Sequence, residues 1–172
     1  MNNTLDLALK IQFCYMLTIR NSISEDIQEL KDTLLESFVQ ASIDDFGNKT
    51  SLPPGVSDGS QIDNALEKKT TFTILWDSKI VGGIIIELKE SKEHYLQTIW
   101  VMTKFQNKGI GKNAIAFLED KFPDAKSWVL ETPSVAKRNR RFYEKLGYKV
   151  IGEQRFDNSP VILINYKKEM SS

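Results

Sequence analysis

The sequence predicts a mixed α/β domain with a mainly antiparallel central sheet flanked by helices. Strand-like and helix-like apolar patterns alternate along the chain, which is the first observation behind this class. The second is a run of three strand patterns between residues 72 and 102 joined by short turns, a spacing that suits antiparallel neighbours. The third is the strand, helix, strand unit from Tyr95 to Leu130, which predicts one right-handed parallel crossover. At 172 residues the chain matches one domain, 1–172, with a short extension over 1–12; a domain averages about 150 residues.

Phe13 to Arg20 is apolar on both faces and predicts a buried strand. Ser22 and Glu25 have capping-box spacing, and Ile27, Leu30, Leu34 and Phe38 follow at helical intervals, predicting a helix that ends near Gln40. Residues 41–70 read as an irregular lobe, because Gly47, Pro53, Pro54, Gly55 and Gly59 interrupt any period. Over 41–67 five acids (Asp44, Asp45, Asp58, Asp63 and Glu67) stand against one base, Lys49. Phe72, Ile74 and Trp76 alternate, Asp77 and Ser78 can turn, and Ile80 to Leu88 and Tyr95 to Met102 supply two more strands. Gly109 to Phe122 carries Ile110, Ala114, Phe117 and Leu118 on one helical face, and Trp128 to Leu130 is a short buried strand after Pro123. Val135, Asn139, Phe142 and Leu146 keep helical spacing up to a left-handed end at Gly147. Phe142 is expected on that core stripe, with the Tyr143 hydroxyl turned toward a cleft. Tyr148 to Gly152 and Val161 to Tyr166 are the last two strands.

Composition narrows the function. Apolar residues make up 41% of the chain, enough for a real core and against intrinsic disorder. Lysine plus arginine and aspartate plus glutamate both total 23, so no global basic field exists to hold nucleic acid or anionic lipid. Cys14 is the lone cysteine, which excludes an intrachain disulfide and a cysteine-based metal cluster and reads as a buried thiol in a reducing compartment. His94 is the lone histidine, which excludes a two-histidine zinc site, and it reads as structural; no metal is expected. Met1 to Lys10 does not form a secretory leader, and no apolar run reaches the length of a membrane span. A soluble, cytoplasmic protein is expected.

The chemistry concentrates in Gln106-Asn107-Lys108-Gly109-Ile110-Gly111-Lys112, between a strong strand and an amphipathic helix. Glycines let backbone approach a ligand. Free N–H groups and the positive end of the helix dipole favour an anion, and Lys104, Lys108 and Lys112 add positive charge with no acid between them. A tight turn with a solvated lysine face is the bland alternative. A Walker A loop fails, because Gln106 stands where its first glycine should be and Asn113 where its hydroxyl residue should be. Gly109 to Ala114 satisfies the dinucleotide fingerprint G-x-G-x-x-A, with Glu131 about 20 residues on. However, Thr103 to Lys108 separate the strand from the first glycine, and too little chain follows for a doubly wound sheet.

Gln-x-x-Gly-x-Gly after a strand, followed by a helix and then by Asn139-Arg-Arg-Phe-Tyr143-Glu-Lys-Leu-Gly-Tyr148, resembles the GNAT superfamily of acetyl-CoA-dependent N-acetyltransferases. The resemblance covers residues 72 to 167 well. It implies a sheet splayed open between the Tyr95 to Met102 strand and the Trp128 to Leu130 strand, with acetyl-CoA in the gap. The pantetheine arm would pair with backbone around Val101, Met102 and Thr103. The pyrophosphate would rest on amides of Gln106, Asn107, Lys108, Gly109, Ile110 and Gly111, with Lys112 following. Gln106 replaces the commoner arginine and brings no charge. Asn107 stands where glycine is frequent.

The resemblance further implies that Tyr143 is the general acid for the leaving thiolate, with Asn139 one turn earlier near the cofactor. The family's strand glutamate is missing, since Gln97 and Thr98 stand there. Glu87 and Glu131, near strand ends, are the substitute general bases, alongside a water chain; a solvated strand-end charge is the alternative for each. Five bases against one acid over 134–145 would suit the nucleotide 3′-phosphate. The acidic lobe would face a cationic small-molecule amine acceptor, or would merely keep itself soluble. The expected function is N-acetyl transfer by direct attack in a ternary complex. The alternative is an acyl-CoA-binding sensor without turnover. Exposed strand edges near the C-terminus allow a homodimer.

Overall fold

The structure is a computed structural model that describes residues 16–48, 52–68, 70–157 and 159–170. Cys14, the extension over 1–12 and the first residues of the expected Phe13 to Arg20 strand lie outside them. The elements are β1 (Leu17–Asn21), α1 (Ile27–Phe46), α2 (Ser60–Glu67), β2 (Thr71–Trp76), β3 (Lys79–Glu87), β4 (Glu93–Val101), α3 (Ile110–Lys121), β5 (Ser127–Pro133), α4 (Lys137–Lys145), β6 (Lys149–Phe156) and β7 (Ser159–Glu169). They form a seven-stranded sheet of order β1-β2-β3-β4-β5-β7-β6. β4 and β5 pair in parallel, as the crossover predicts, and the other neighbours are antiparallel.

Helices cover both faces. Strand alternation sends Ile84 and Ile86 of β3 into a core with Ile110, Ala114 and Leu118 of α3, while Ile85 packs with Leu30 and Leu34 of α1 and Ile62 of α2. Burial on both sides explains the uninterrupted apolar run of β3. Gly83 lets the Trp100 ring lie across β3, where any Cβ would collide with it. The indole N–H then donates to Thr33 Oγ1 at 3.1 Å, fastening β4 to α1.

The corner between β1 and α1 is polar inside. Arg20 donates to Asp26 at 2.6 and 2.8 Å, and Thr73 Oγ1 donates to Asp26 at 2.7 Å. The Ile23 amide donates to the same carboxylate, so Asp26, rather than Glu25, is the acid that caps this turn. Burial pushes the Asp26 carboxyl up, but these hydrogen bonds outweigh it and hold it below its ordinary value.

Residues 41–70 are more regular than expected. α1 runs on to Phe46 and stops where Gly47 turns left-handed, at φ 72°, with its amide bonded to the Ile43 carbonyl. α2 then forms because Ile62, Ala65 and Leu66 bury one face against the α1 side of the core. Asp58 accepts from the Ser60 amide at its start, and Asp63 pairs with Lys31 of α1 at 2.7 Å.

His94 is buried against Trp128 and Phe122, as a structural residue should be. Its Nδ1 accepts the Lys89 amide at 3.2 Å, and burial lowers its pKa. α4 is held to β7 by Tyr166, whose hydroxyl donates to Glu144 at 2.8 Å and accepts from Arg140 at 3.3 Å. Val135 is exposed and precedes that helix, contrary to its expected place on the apolar stripe.

Candidate functional site

β4 and β5 share three register pairs, Glu93 with Ser127, His94 with Trp128 and Tyr95 with Val129. Beyond them β4 follows β3 and β5 follows β7, so the sheet forks after Tyr95 and Val129. A bulge in β4 contributes to this. Ile85 pairs with Thr98 and Ile86 with Leu96, which leaves Gln97 as the extra residue at the fork. Met102 gives its amide to the Val81 carbonyl at 2.8 Å. Amides alternate sides along a strand, so those of Val101 and Ile99 face the open side while that of Met102 is taken.

The Val101 carbonyl is also engaged, accepting the Gln106 side-chain amide at 2.7 Å. Gln106 therefore braces the turn from inside, a role its chemistry allows and arginine's greater length would alter. A 3₁₀ turn over Thr103–Phe105 leads to Asn107 and Gly109, both with left-handed backbone at φ 61° and 78°. The first helical bond beyond them runs from the Asn113 amide to the Gly109 carbonyl at 3.0 Å. The amides of Ile110, Gly111 and Lys112 thus have no acceptor within α3. Thr103, Lys104, Lys108 and Lys112 are exposed around them. Gly111 has a second role, because a Cβ there would stand 3.2 Å from the Phe142 ring. Asn107 accepts from Arg138 of α4 at 3.4 Å, so the turn and α4 touch at two points.

On α4 it is Tyr143, not Phe142, that is buried, while Phe142 is partly covered against the turn. The reason is the fork: Tyr143 enters the space left under the diverging strands and meets Tyr148 and Tyr166 at ring distances of 5.7 and 6.3 Å. Among the described residues its hydroxyl has no hydrogen-bond partner. Burial, with Tyr95 nearby adding to it, pushes its pKa well above 10. Asn139 is exposed one turn earlier.

Glu87 and Glu131 come together across the fork. With Tyr95, Val129 and Asn165 they line a cavity of about 410 Å³. Burial, then Glu131 and Glu87, push the Tyr95 phenol up to about 12. A second cavity, of about 790 Å³, lies under α2 between Gln61, Asn64, Glu67, Gln97 and Glu87. Glu87 borders both. Three lobe acids are otherwise engaged: besides Asp58 and Asp63, Asp44 accepts from Gln40 at 2.8 Å, whereas Glu67 lines the second cavity. Asp45 is raised by burial and Asp44, with Arg138 opposing.

Sequence reasoning missed Tyr95 and Ile99. Nothing in the local pattern marked a tyrosine at the last paired position of a strand, since the fork itself depends on the partner strand. Among the described residues no group of histidine, cysteine, aspartate and glutamate is arranged to hold a metal ion. Among them, no helix is long and apolar enough to cross a membrane.

Comparison with known proteins agrees with this geometry. A family model described as the acetyltransferase (GNAT) family matches residues 31–148. The protein YrkN of Bacillus subtilis (strain 168) is 32% identical over 129 residues, covering 73% of this chain and 69% of that one. Among solved structures, the PaiA N-acetyltransferase from Thermoplasma acidophilum in complex with coenzyme A superposes with a TM-score of 0.71, at 18% identity, over 90% of this chain and 99% of that one. The ribosomal-protein-S18-alanine N-acetyltransferase from Escherichia coli superposes with a TM-score of 0.70, at 18% identity, over 91% and 96%. These two likenesses give the fold: a mainly antiparallel sheet open between its middle strands.

Proposed function

Because the chain belongs to the acetyltransferase (GNAT) family, we propose that it moves an acetyl group from acetyl-CoA to a primary amine of a small, cationic acceptor, by direct attack with both substrates bound. The observation that carries this reading is the fork between β4 and β5, with free turn amides at its wide end and the Tyr143 hydroxyl beneath its narrow end. Acetyl-CoA supplies the activated thioester carbonyl. The amides of Ile110, Gly111 and Lys112, the left-handed Gly109 and the lysines at 104, 108 and 112 fit a pyrophosphate. The basic residues of α4 suit a 3′-phosphate. The open-side amides of Val101 and Ile99 suit a pantetheine arm and the polarised carbonyl. Tyr143 keeps its proton at neutral pH and gives it to the departing sulfur; such positioned acid catalysis is worth roughly 10²- to 10⁴-fold.

Glu87 or Glu131 takes the proton of the amine, and together their carboxylates favour a cation in the cavities beside them. This moves the electrostatic argument for a cationic acceptor away from the lobe, whose acids Asp58 and Asp63 serve the fold. We take 1–172 as one domain, acting in the cytoplasm. The exposed Val150 and Ile151 on β6 favour a homodimer.

Free-thiol release from acetyl-CoA, followed across a panel of amines that includes a peptide N-terminus, tests the proposal. Acceptor-dependent thiol with diamines or aminosugars supports it. Calorimetric binding of acetyl-CoA with no thiol release for any amine would make the chain an acyl-CoA sensor instead.

A further inference from the structure

The turn between β3 and β4 carries Lys89, and its ammonium lies 5.9 Å from the centroid of the Tyr95 ring. The same side chain lines the cavity of about 410 Å³ that Glu87, Glu131 and Val129 border. Tyr95 and Val129 are the last pair before the fork, so this cavity opens where the two strands part. Tyr143 reaches the fork from the other sheet face, since it packs with Leu96 and Leu130, whose neighbours Tyr95 and Glu131 point the opposite way. The backbone of Lys89 is fixed: its amide donates to His94 Nδ1 and its carbonyl accepts from Lys92. Among the described residues the Lys89 ammonium has no ion pair, whereas Lys92 and Lys167 are tied to Asp124 and Glu93.

A tethered primary amine therefore lines the cavity in which the acceptor amine is proposed to sit, together with the Glu87 and Glu131 carboxylates. Tethering replaces a bimolecular encounter by a unimolecular one, an advantage that reaches effective molarities of about 10⁵ M when alignment is good. We infer that Lys89 is a modification site of the protein's own activity, acetylated within its own chain when no acceptor fills the cavity. The inference rests on the acetyl-CoA reading above. In the step, Lys89 Nζ bonds to the thioester carbonyl carbon and the carbon–sulfur bond breaks. The ammonium sheds two protons, one of which ends on the sulfur and the other in solvent. The products are N-acetyl-lysine and free coenzyme A. Acetylation also removes the charge over Tyr95 and fills the cavity, so the modified chain should turn over added amines more slowly.

The test is to incubate the full-length protein with acetyl-CoA labelled in the acetyl group, without added amine, and to map the label by peptide mass spectrometry. We expect Lys89 to be labelled at least about tenfold faster than Lys104, Lys108 or Lys112, with a first-order rate independent of protein concentration. Tyr143→Phe should slow the label, Lys89→Arg should remove it, and an accepted amine should compete with it. Even labelling of all surface lysines, indifference to Tyr143→Phe, or a rate that rises with protein concentration would overturn the inference. If the protein binds acetyl-CoA and acetylates an added amine but leaves Lys89 unlabelled, this inference falls and the proposed function stands. If it neither binds the thioester nor turns over any amine, both fall.

Discussion

Gln106 spends one of its two amide protons on the Val101 carbonyl, 2.7 Å away, and so joins the glycine turn to the end of the strand that borders the fork. Such a bond contributes about 1 kcal/mol net. Gln106→Ala should weaken acetyl-CoA binding about fivefold by calorimetry with little loss of thermal stability. Unchanged affinity would show that the turn holds its shape without this brace.

Tyr143→Phe removes a hydroxyl that has no partner among the described residues but keeps the ring contacts with Tyr148 and Tyr166. The melting temperature and the acetyl-CoA Kd should barely move, while kcat falls roughly 10²- to 10⁴-fold. A rise in Kd and a lower melting temperature alongside the fall in kcat would make the tyrosine a packing residue only.

Tyrosines whose pKa values are raised by burial, Tyr95, Tyr143 and Tyr148 among them, give the protein a defined alkaline limit. Tyr95 is pushed up to about 12 by burial and the two carboxylates, and burial also raises Tyr143 and Tyr148 above 10. Between the unfolded pKa of about 10 and these folded values the native chain holds more protons than the unfolded one. Stability should therefore be intact below about pH 10 and fall as pH rises through the folded values. Denaturant midpoints across that range check this, and Tyr148→Phe should flatten the decline.

At the acid end the sign reverses. Asp26 is held below its ordinary value by Arg20, Thr73 and the Ile23 amide, so its stabilisation is present above the unfolded pKa and lost as pH falls through the folded one. Asp26→Asn leaves the Arg20 guanidinium without its partner and should cost roughly 2–4 kcal/mol in urea unfolding. It should also blunt the acid dependence.

The two turn glycines should separate in their effects. Gly109→Ala forces a side chain into left-handed backbone and should cost about 1–2 kcal/mol, although space is open there. Gly111→Ala gains helix propensity of up to about 1 kcal/mol but presses on Phe142. Its stability should change little while kcat drops, because Phe142 lies 5.2 Å from the Tyr143 ring.

The order of strands and helices, the glycine turn and the parallel crossover were legible in the chain because each is written in neighbours a few residues apart: alternation, helical spacing, or glycine where φ turns positive. The same local grammar ended α1 near Gln40 and missed α2, whose polar residues hide two buried positions, Ile62 and Ala65, and a partly buried Leu66 that find their partners only on the α1 side of the core. It placed Phe142, rather than the ring of Tyr143, in the core, since spacing along α4 orders both onto a helix but cannot say what fills the space beneath a fork. Tertiary structure decided that, along with the meeting of Glu87, Glu131, Tyr95 and Lys89. Those four come from strand ends and a turn, and they meet because β5 leaves β4 after three pairs to follow β7. Strand divergence is a property of the whole hydrogen-bonded sheet, and no single segment encodes it.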